Sequence, residues 1–313
     1  MTDPVLALDI GGTKFAAAVV DPTGRAISAR RVPTPHAGGI DGEGLWATLT
    51  SLLDTVMRGV ERIGGVGAGG GGPMLWPSGE ISPLNIAPWR VFPLRARLRE
   101  RYPDVPVRVH NDAVCVAVGE HWRGAGRGVG NLLGMVVSTG VGGGLVLGGR
   151  LIDGASGNAG HIGHVVADPG GPQCECGGVG CLEAIARGPA IVRWAQQGGW
   201  RRDRAGLTAR DVADDASRGD AVARAAFERA GRAIGVALAS AAALCDVEVV
   251  AIGGGVAQAG PLLFGPLNAA YAAHARLDFV RQVRIVPAAL GQDAGLIGAA
   301  ALVLAGDRYW NAD

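Results

Sequence analysis

One pattern occurs twice in this chain, and it limits the possible folds more than any other feature. Residues 5–10 form a short apolar run that ends at Gly11-Gly12-Thr13-Lys14 and resumes over 15–20. Asp21-Pro22-Thr23-Gly24 then turns the chain toward a third candidate strand, 25–32. Much later, 132–137 ends at Ser138-Thr139-Gly140-Val141-Gly142-Gly143-Gly144, followed by 145–147, a Gly148-Gly149 turn and 150–152. Each copy predicts a meander of strand, Gly-rich turn, strand, Gly turn and strand, antiparallel in the first copy. The match predicts two related halves. A third Gly turn, Gly253-Gly254-Gly255, follows the apolar run 247–252.

Between these runs lie helical patterns. Leu45, Leu49, Leu52, Leu53, Val56, Met57 and Val60 recur at helical spacing. Helices are also expected over 113–122, 189–196, 208–216, 221–244, 261–275 and 293–304, with Thr208, Asp220 and Asp293 as caps. Short strands are expected near 66–72, 107–110 and 283–286, and an ordered loop over 73–93. Strands alternating with helices give an α/β fold.

Composition narrows the function. Apolar residues make up 48% of the 313 and charged residues 18%, with a net charge of +1. That supports a sizeable core and no basic stripe, which argues against nucleic acid as the main partner. The longest apolar segment, 234–244, is too short to span a bilayer. No charged leader precedes an apolar stretch at the N-terminus. Five cysteines, three of them clustered, do not make a secreted disulfide framework. A cytoplasmic protein without a membrane partner is expected.

Three groups of residues can carry chemistry. A Gly-rich turn between strands leaves backbone N–H groups free and lets a phosphate come close. Asp9 beside the first turn can hold Mg²⁺, directly or through water, and Thr13 and Lys14 offer a hydroxyl and a cation. For one turn alone, a plain tight turn is the better reading; two matched turns and a third favour a nucleotide. The P-loop signature is absent, and the turn after Ile10 leads into a strand rather than a helix, which is not a Rossmann fingerprint.

Next is His110-Asn111-Asp112, where a strand gives way to a helix. A carboxylate there can take the proton of an attacking hydroxyl, and Asn111 can hold a neighbouring one; an ordinary helix cap uses the same residues. Last is the turn-rich stretch 157–181. Cys174, Cys176, Cys181 and His164 suit a closed, structural Zn²⁺ site, with free thiols or a redox pair as the alternatives. Cys115 and Cys245 lie in predicted helices and read as core.

Taken together, Asp9-Ile10-Gly11-Gly12-Thr13-Lys14, Asn111-Asp112, residues 138–144, Gly163-His164 and the run Cys174-Glu175-Cys176-Gly177-Gly178-Val179-Gly180-Cys181-Leu182-Glu183 resemble the ROK family of repressors and sugar kinases over essentially the whole chain. The resemblance implies an actin-like, ribonuclease H-like sugar kinase with a central cleft. Its domains would be 1–112 with 292–313, and 113–291 with the zinc loop. It implies an ATP-dependent kinase acting on the 6-hydroxyl of glucose or a similar hexose, with Mg²⁺ and structural Zn²⁺, as a homodimer or homotetramer. Asp112 would be the catalytic base. Asn85, Asn111, Asp112, His161, His164 and Glu183 would bind sugar, His164 with one nitrogen on zinc. Asp9, Gly11, Gly12, Thr13, Lys14, Thr139, Gly140, Gly142, Gly143, Gly254 and Gly255 would bind nucleotide, with Asp9 on Mg²⁺ through water.

One departure stands out. The family's Glu-x-Gly-His reads His161-Ile162-Gly163-His164 here. A histidine that can donate or accept predicts either a neutral exchange or altered sugar choice, with amino hexoses (glucosamine, kanosamine) and N-acetylamino hexoses as candidates. The family's sugar-sensing repressors carry an N-terminal DNA-binding region. Here the first phosphate strand starts at Val5, which disfavours that reading.

Overall fold

The structure, a computed structural model, describes residues 3–35, 39–83 and 85–311. In chain order the elements are β1 (Val5–Ile10), β2 (Lys14–Val20), β3 (Ala26–Pro33), α1 (Gly42–Val56), β4 (Gly65–Gly70), β5 (Met74–Leu75), β6 (Glu80–Ile81), α2 (Leu94–Arg101), β7 (Val107–Asn111), α3 (Asp112–Arg123), β8 (Leu132–Val137), β9 (Val141–Leu147) and β10 (Arg150–Leu151). They continue with α4 (Leu182–Ala186), α5 (Gly188–Gln197), α6 (Ala209–Ser217), α7 (Ala221–Cys245), β11 (Val249–Gly253), α8 (Pro261–His274), α9 (Asp278–Arg281), β12 (Arg284–Pro287), α10 (Ala294–Leu304) and α11 (Gly306–Tyr309). The chain divides into two compact units: 1–130 with 144–160 and 289–313, and 131–143 with 161–288.

The first unit is built on a sheet of order β3-β2-β1-β4-β7. β1, β2 and β3 pair antiparallel, as the repeat predicts, and β4 and β7 join in parallel. Alternation along the strands separates two cores. Leu6, Leu8, Ile10, Phe15, Ala17 and Val19 pack with Leu45, Leu49 and Leu53 of α1. Val5, Ala7, Ala16, Ala18 and Val20 pack instead with Val114 and Val118 of α3 and Leu296 and Ala300 of α10. Each Val, Leu, Ile or Phe side chain so buried stabilises by roughly 1.5–3 kcal/mol. Asp9 shares the parity of Val5 and Ala7, and so lies on the α10 side of the sheet.

α3 and α10 touch backbone to backbone: a Cβ at Gly298 would overlap the Cys115 carbonyl, and one at Gly119 the Ala294 carbonyl. That contact gathers α3 into the first unit, together with 144–160, whereas the sequence reading divides the chain after residue 112.

The second sheet runs β10-β9-β8-β11-β12, and the division between units falls within β9. β8, β11 and β12 are parallel neighbours, and β10 is antiparallel to β9. The order repeats that of the first sheet position for position, which is the duplicated α/β, actin-like architecture expected from the resemblance. Thr208 and Asp211 form a capping box on α6, and Asp220 accepts from the Ala223 N–H at 2.8 Å to cap α7.

Three expectations need correction, and one helix, α2, escapes the sequence reading. Asp293 precedes α10 but makes no side-chain cap; its carboxylate pairs with Arg31 instead. The loop 73–93 contains the β5–β6 hairpin. α2 carries too few apolar residues to announce itself, burying only Leu94 and Leu98. Cys245 ends α7 half-buried rather than in the core. Among the described residues, no helix is long and apolar enough to cross a membrane.

Candidate active site

In the first unit the β1–β2 turn is closed by the Gly11 N–H donating to the Lys14 carbonyl at 3.1 Å. Thr34 braces it twice: its hydroxyl donates to the Gly11 carbonyl at 2.7 Å, and its N–H to the Thr13 carbonyl at 3.0 Å. Gly12 lies against Asn85, where a Cβ would come within 2.6 Å of the asparagine Cβ. Thr13 is exposed, and Lys14 Nζ donates to Gln292 Oε1 at 3.2 Å.

Asp9 ends up against the first turn of α10. A Cβ at Gly295 would meet its carboxyl carbon at 3.0 Å, so glycine is what lets the carboxylate sit there. Burial, and then the charge of Asp112, push the Asp9 carboxyl up to about 6, with Lys14 and Arg31 pulling the other way. Arg31 and Gly295 escape the sequence reading. The only local signal was a glycine at the second position of a helix.

At the β7–α3 junction Asn111 is the N-cap: its Oδ1 accepts from the Ala113 N–H at 3.0 Å. Asp112 opens α3, and its Oδ1 accepts from the same N–H at 2.8 Å. Both readings of this pair are therefore compatible, because the capping contact leaves Asp112 Oδ2 outside that hydrogen bond. Burial raises the Asp112 carboxyl above the usual range, and the backbone N–H groups of Ala113 and Asp112 oppose it. A raised carboxyl next to a polar amide suits a proton acceptor.

In the second unit the β8–β9 turn is held by the Ser138 N–H donating to the Gly140 carbonyl at 2.8 Å, with Thr139 exposed at its tip. The third Gly turn folds onto it. The Val256 N–H donates to the Val137 carbonyl at 3.0 Å, and Gly254, with φ +94°, lies flat on that carbonyl. Thr139, Gly140, Gly254 and Gly255 are thereby brought together, while Gly142 and Gly143 continue into β9.

The stretch 161–183 packs on the same strand. A Cβ at Gly163 would overlap the Val141 carbonyl. Glu183, 9% exposed, accepts the Val141 N–H on Oε2 at 2.8 Å. The His161 and His164 rings stack, centroids 5.0 Å apart and 10° from parallel. Burial and then His164 lower the His161 pKa, against an upward pull from Glu183, so the ring is neutral near pH 7.

His164 also faces the cysteines, and the ligand atoms of His164, Cys174, Cys176 and Cys181 all lie within 4.8 Å of one another. Cys176 and Cys181 sulfurs are 3.7 Å apart, and Cys174 Sγ is 3.8 Å from His164 Nδ1. Two sulfurs each about 2.3 Å from a tetrahedral ion would be about 3.8 Å apart. The donors therefore fit a metal. Burial pushes the Cys181 thiol up to about 12, so a thiolate there calls for a cation.

Every residue of the sequence-derived site is thus found in one of two groups. Asp9, Gly11–Gly12, Thr13, Lys14, Asn85, Asn111 and Asp112 belong to the first unit. Thr139, Gly140, Gly142, His161, His164, Glu183, the cysteines, Gly254 and Gly255 belong to the second, with Gly143 at the division.

Known proteins are similar to this chain along nearly its whole length. The chain is 35% identical over 314 residues to a glucokinase of Halalkalibacterium halodurans, covering 95% of this chain and 94% of that one. It is 38% identical over 297 residues to an N-acetylmannosamine kinase of Yersinia pseudotuberculosis, covering 94% and 96%. Its fold matches that of a ROK family glucokinase from Streptomyces griseus, in complex with glucose and AMPPNP, with a TM-score of 0.82 and 33% identity over 96% of this chain and 99% of the other. The ROK family profile matches residues 5–305. With the strand order, the Gly turns and the cysteine loop all in place, this chain belongs to the ROK family.

Proposed function

We propose that this protein is an ATP-dependent hexose kinase that transfers the γ-phosphoryl group to the 6-hydroxyl of glucose or a glucose-like hexose. The observation that carries the reading is the half-buried Asp112, its carboxyl raised by desolvation, beside Asn111 at the start of α3, in a chain related to sugar kinases along nearly its whole length. Asp112 Oδ2 accepts the hydroxyl proton as the sugar oxygen bonds to phosphorus. The bond from phosphorus to the β,γ-bridging oxygen breaks, and ADP leaves with the electron pair. Asn111 holds a neighbouring hydroxyl and keeps the reacting oxygen aligned. Asn85, His161, His164 and Glu183 contribute further sugar contacts, and backbone amides of the Gly turns receive phosphate oxygens.

Asp9 fits a Mg²⁺ site: it is a hard oxygen donor whose burial makes the charged form costly until a cation is near. When bound with ATP, Mg²⁺ neutralises charge on the β- and γ-phosphates. His164, Cys174, Cys176 and Cys181 hold a structural Zn²⁺, which fixes the loop carrying the two histidines.

A second reading is favoured by His161. A neutral imidazole stands where the family's glutamate would be, leaving Glu183 as the nearby carboxylate. That environment accepts an ammonium or an N-acetyl group without a second charge to balance, so amino and N-acetylamino hexoses are the alternative substrates.

The test is ADP release with ATP and a panel of glucose, mannose, glucosamine, kanosamine and N-acetylmannosamine. Turnover of at least one hexose, lost in Asp112→Asn, is expected. ADP release with none of them overturns the proposal.

A further inference from the structure

Behind the proposed base lies a chain of buried polar groups that phosphoryl transfer does not itself use. His110, 1% exposed, immediately precedes Asn111 in β7. The Asn111 N–H donates to His110 Nδ1 at 2.8 Å, so Nδ1 is unprotonated and the ring proton sits on Nε2. Nε2 in turn donates to Asp153 Oδ1 at 3.0 Å. Asp153 is 8% exposed, and its Oδ2 accepts from Asn311 Nδ2 at 2.7 Å. The faces of the imidazole are confined as well. Trp76 lies 4.9 Å from it, centroid to centroid, and is itself wedged by Trp310 at 4.6 Å. Gly157, with φ +77°, closes the far side of Trp76, where any Cβ would overlap the indole.

We propose that Asp153 and His110 are positioning residues for the kinase reaction. Asp153 selects the His110 tautomer, and the resulting Nδ1 acceptor anchors the amide of Asn111. That amide is bonded to the Asn111 Cα, one residue ahead of the Asp112 Cα. Anchoring it fixes where the base and the hydroxyl contact stand. Reversing the tautomer would point a ring N–H at the Asn111 N–H, two donors face to face, and the end of β7 would have to shift. A shift of about 1 Å in a reacting group costs on the order of 100-fold in rate.

The inference rests on the role assigned to Asp112, and its test separates the two. In Asp153→Leu, which matches the size of the side chain and removes the acceptor, kcat is expected to fall about 10–100-fold while KM for ATP stays within about twofold. Asp153→Asn, which keeps an acceptor for Nε2–H, recovers most of the loss. In ¹⁵N spectra of histidine-labelled protein, wild-type His110 shows an unprotonated Nδ1, and Asp153→Leu mixes in the other tautomer. The double variant His110→Asn with Asp153→Leu is expected to be no slower than His110→Asn alone, because Asp153 acts only through the ring. Wild-type kcat in a folded Asp153→Leu enzyme whose Asp112→Asn counterpart is inactive overturns the positioning role alone. Full turnover in Asp112→Asn overturns the functional reading instead. Should Asp153→Leu not fold, a protonated Nδ1 on wild-type His110 still overturns the proposal, and an unprotonated Nδ1 supports it.

Discussion

Asp112 acts on Asp9 through its charge, adding to burial to hold the Asp9 carboxyl at about 6. A carboxyl raised in the folded state binds protons more tightly there than in the unfolded chain. The stability that this proton carries is fully present below about pH 3.8 and is lost as pH rises from there to about 6, above which it does not return. Asp9→Asn is expected to raise the melting temperature of the ligand-free protein at pH 7.5, from a gain of about 1–3 kcal/mol, and to raise it by roughly half as much at pH 5. The same variant should lose Mg²⁺-dependent ATP turnover. Differential scanning calorimetry at the two pH values checks the first effect; an unchanged pH dependence of stability counts against it.

Asp112 must be ionised to accept a proton. With its carboxyl raised by burial, the acid limb of kcat/KM should lie above the ordinary carboxylate range, activity falling as pH drops through it. Asp112→Asn is expected to lower kcat by about 10²–10⁴-fold while sugar binding, followed by calorimetric titration, changes little. Near-normal turnover would remove Asp112 from the role of base.

The cysteine loop should contain one Zn²⁺ per chain by elemental analysis. Stripping it with a chelator, or replacing Cys181 by Ser, is expected to lower the melting temperature by about 10 °C. Sugar KM should rise with it if His164, one of the four clustered donors, also contacts the sugar as proposed. A metal-free protein with unchanged stability and KM would assign the thiols no metal.

His161→Glu puts a glutamate where the resemblance to the family implies one. The ratio of kcat/KM for glucose to that for glucosamine or kanosamine is expected to change by about tenfold, the scale of one hydrogen bond of about 1.4 kcal/mol. An unchanged ratio across the sugar panel makes the histidine a neutral exchange.

Much of this molecule is readable along the chain because its signals are local. The two meanders follow from alternation and glycine turns, and the cysteines lie within eight residues of one another. Asn111-Asp112 stands out as a cap whichever role is assigned to it. What escapes is non-local. Arg31 and Asp293 meet across most of the chain, which turns an expected cap into an ion pair. His110 finds Asp153 only because residues 144–160 return to the first unit. α3 belongs with α10 through backbone contact at glycines, which no hydrophobic period reports. α2 is rich in arginine and has two buried leucines, too few for a stripe.

The late return of α10 to the first sheet also sets an order of assembly. During synthesis, β1 and β4 emerge early, yet the helix that covers one of their faces lies within 289–313 and follows the whole second unit out of the ribosome. The second unit, whose residues end at 288, can close first, reversing the usual N-terminal-first sequence of multidomain chains. A nascent chain paused at 288 would thus hold one folded unit and one with an open apolar face, a difference that limited proteolysis of arrested chains would read directly.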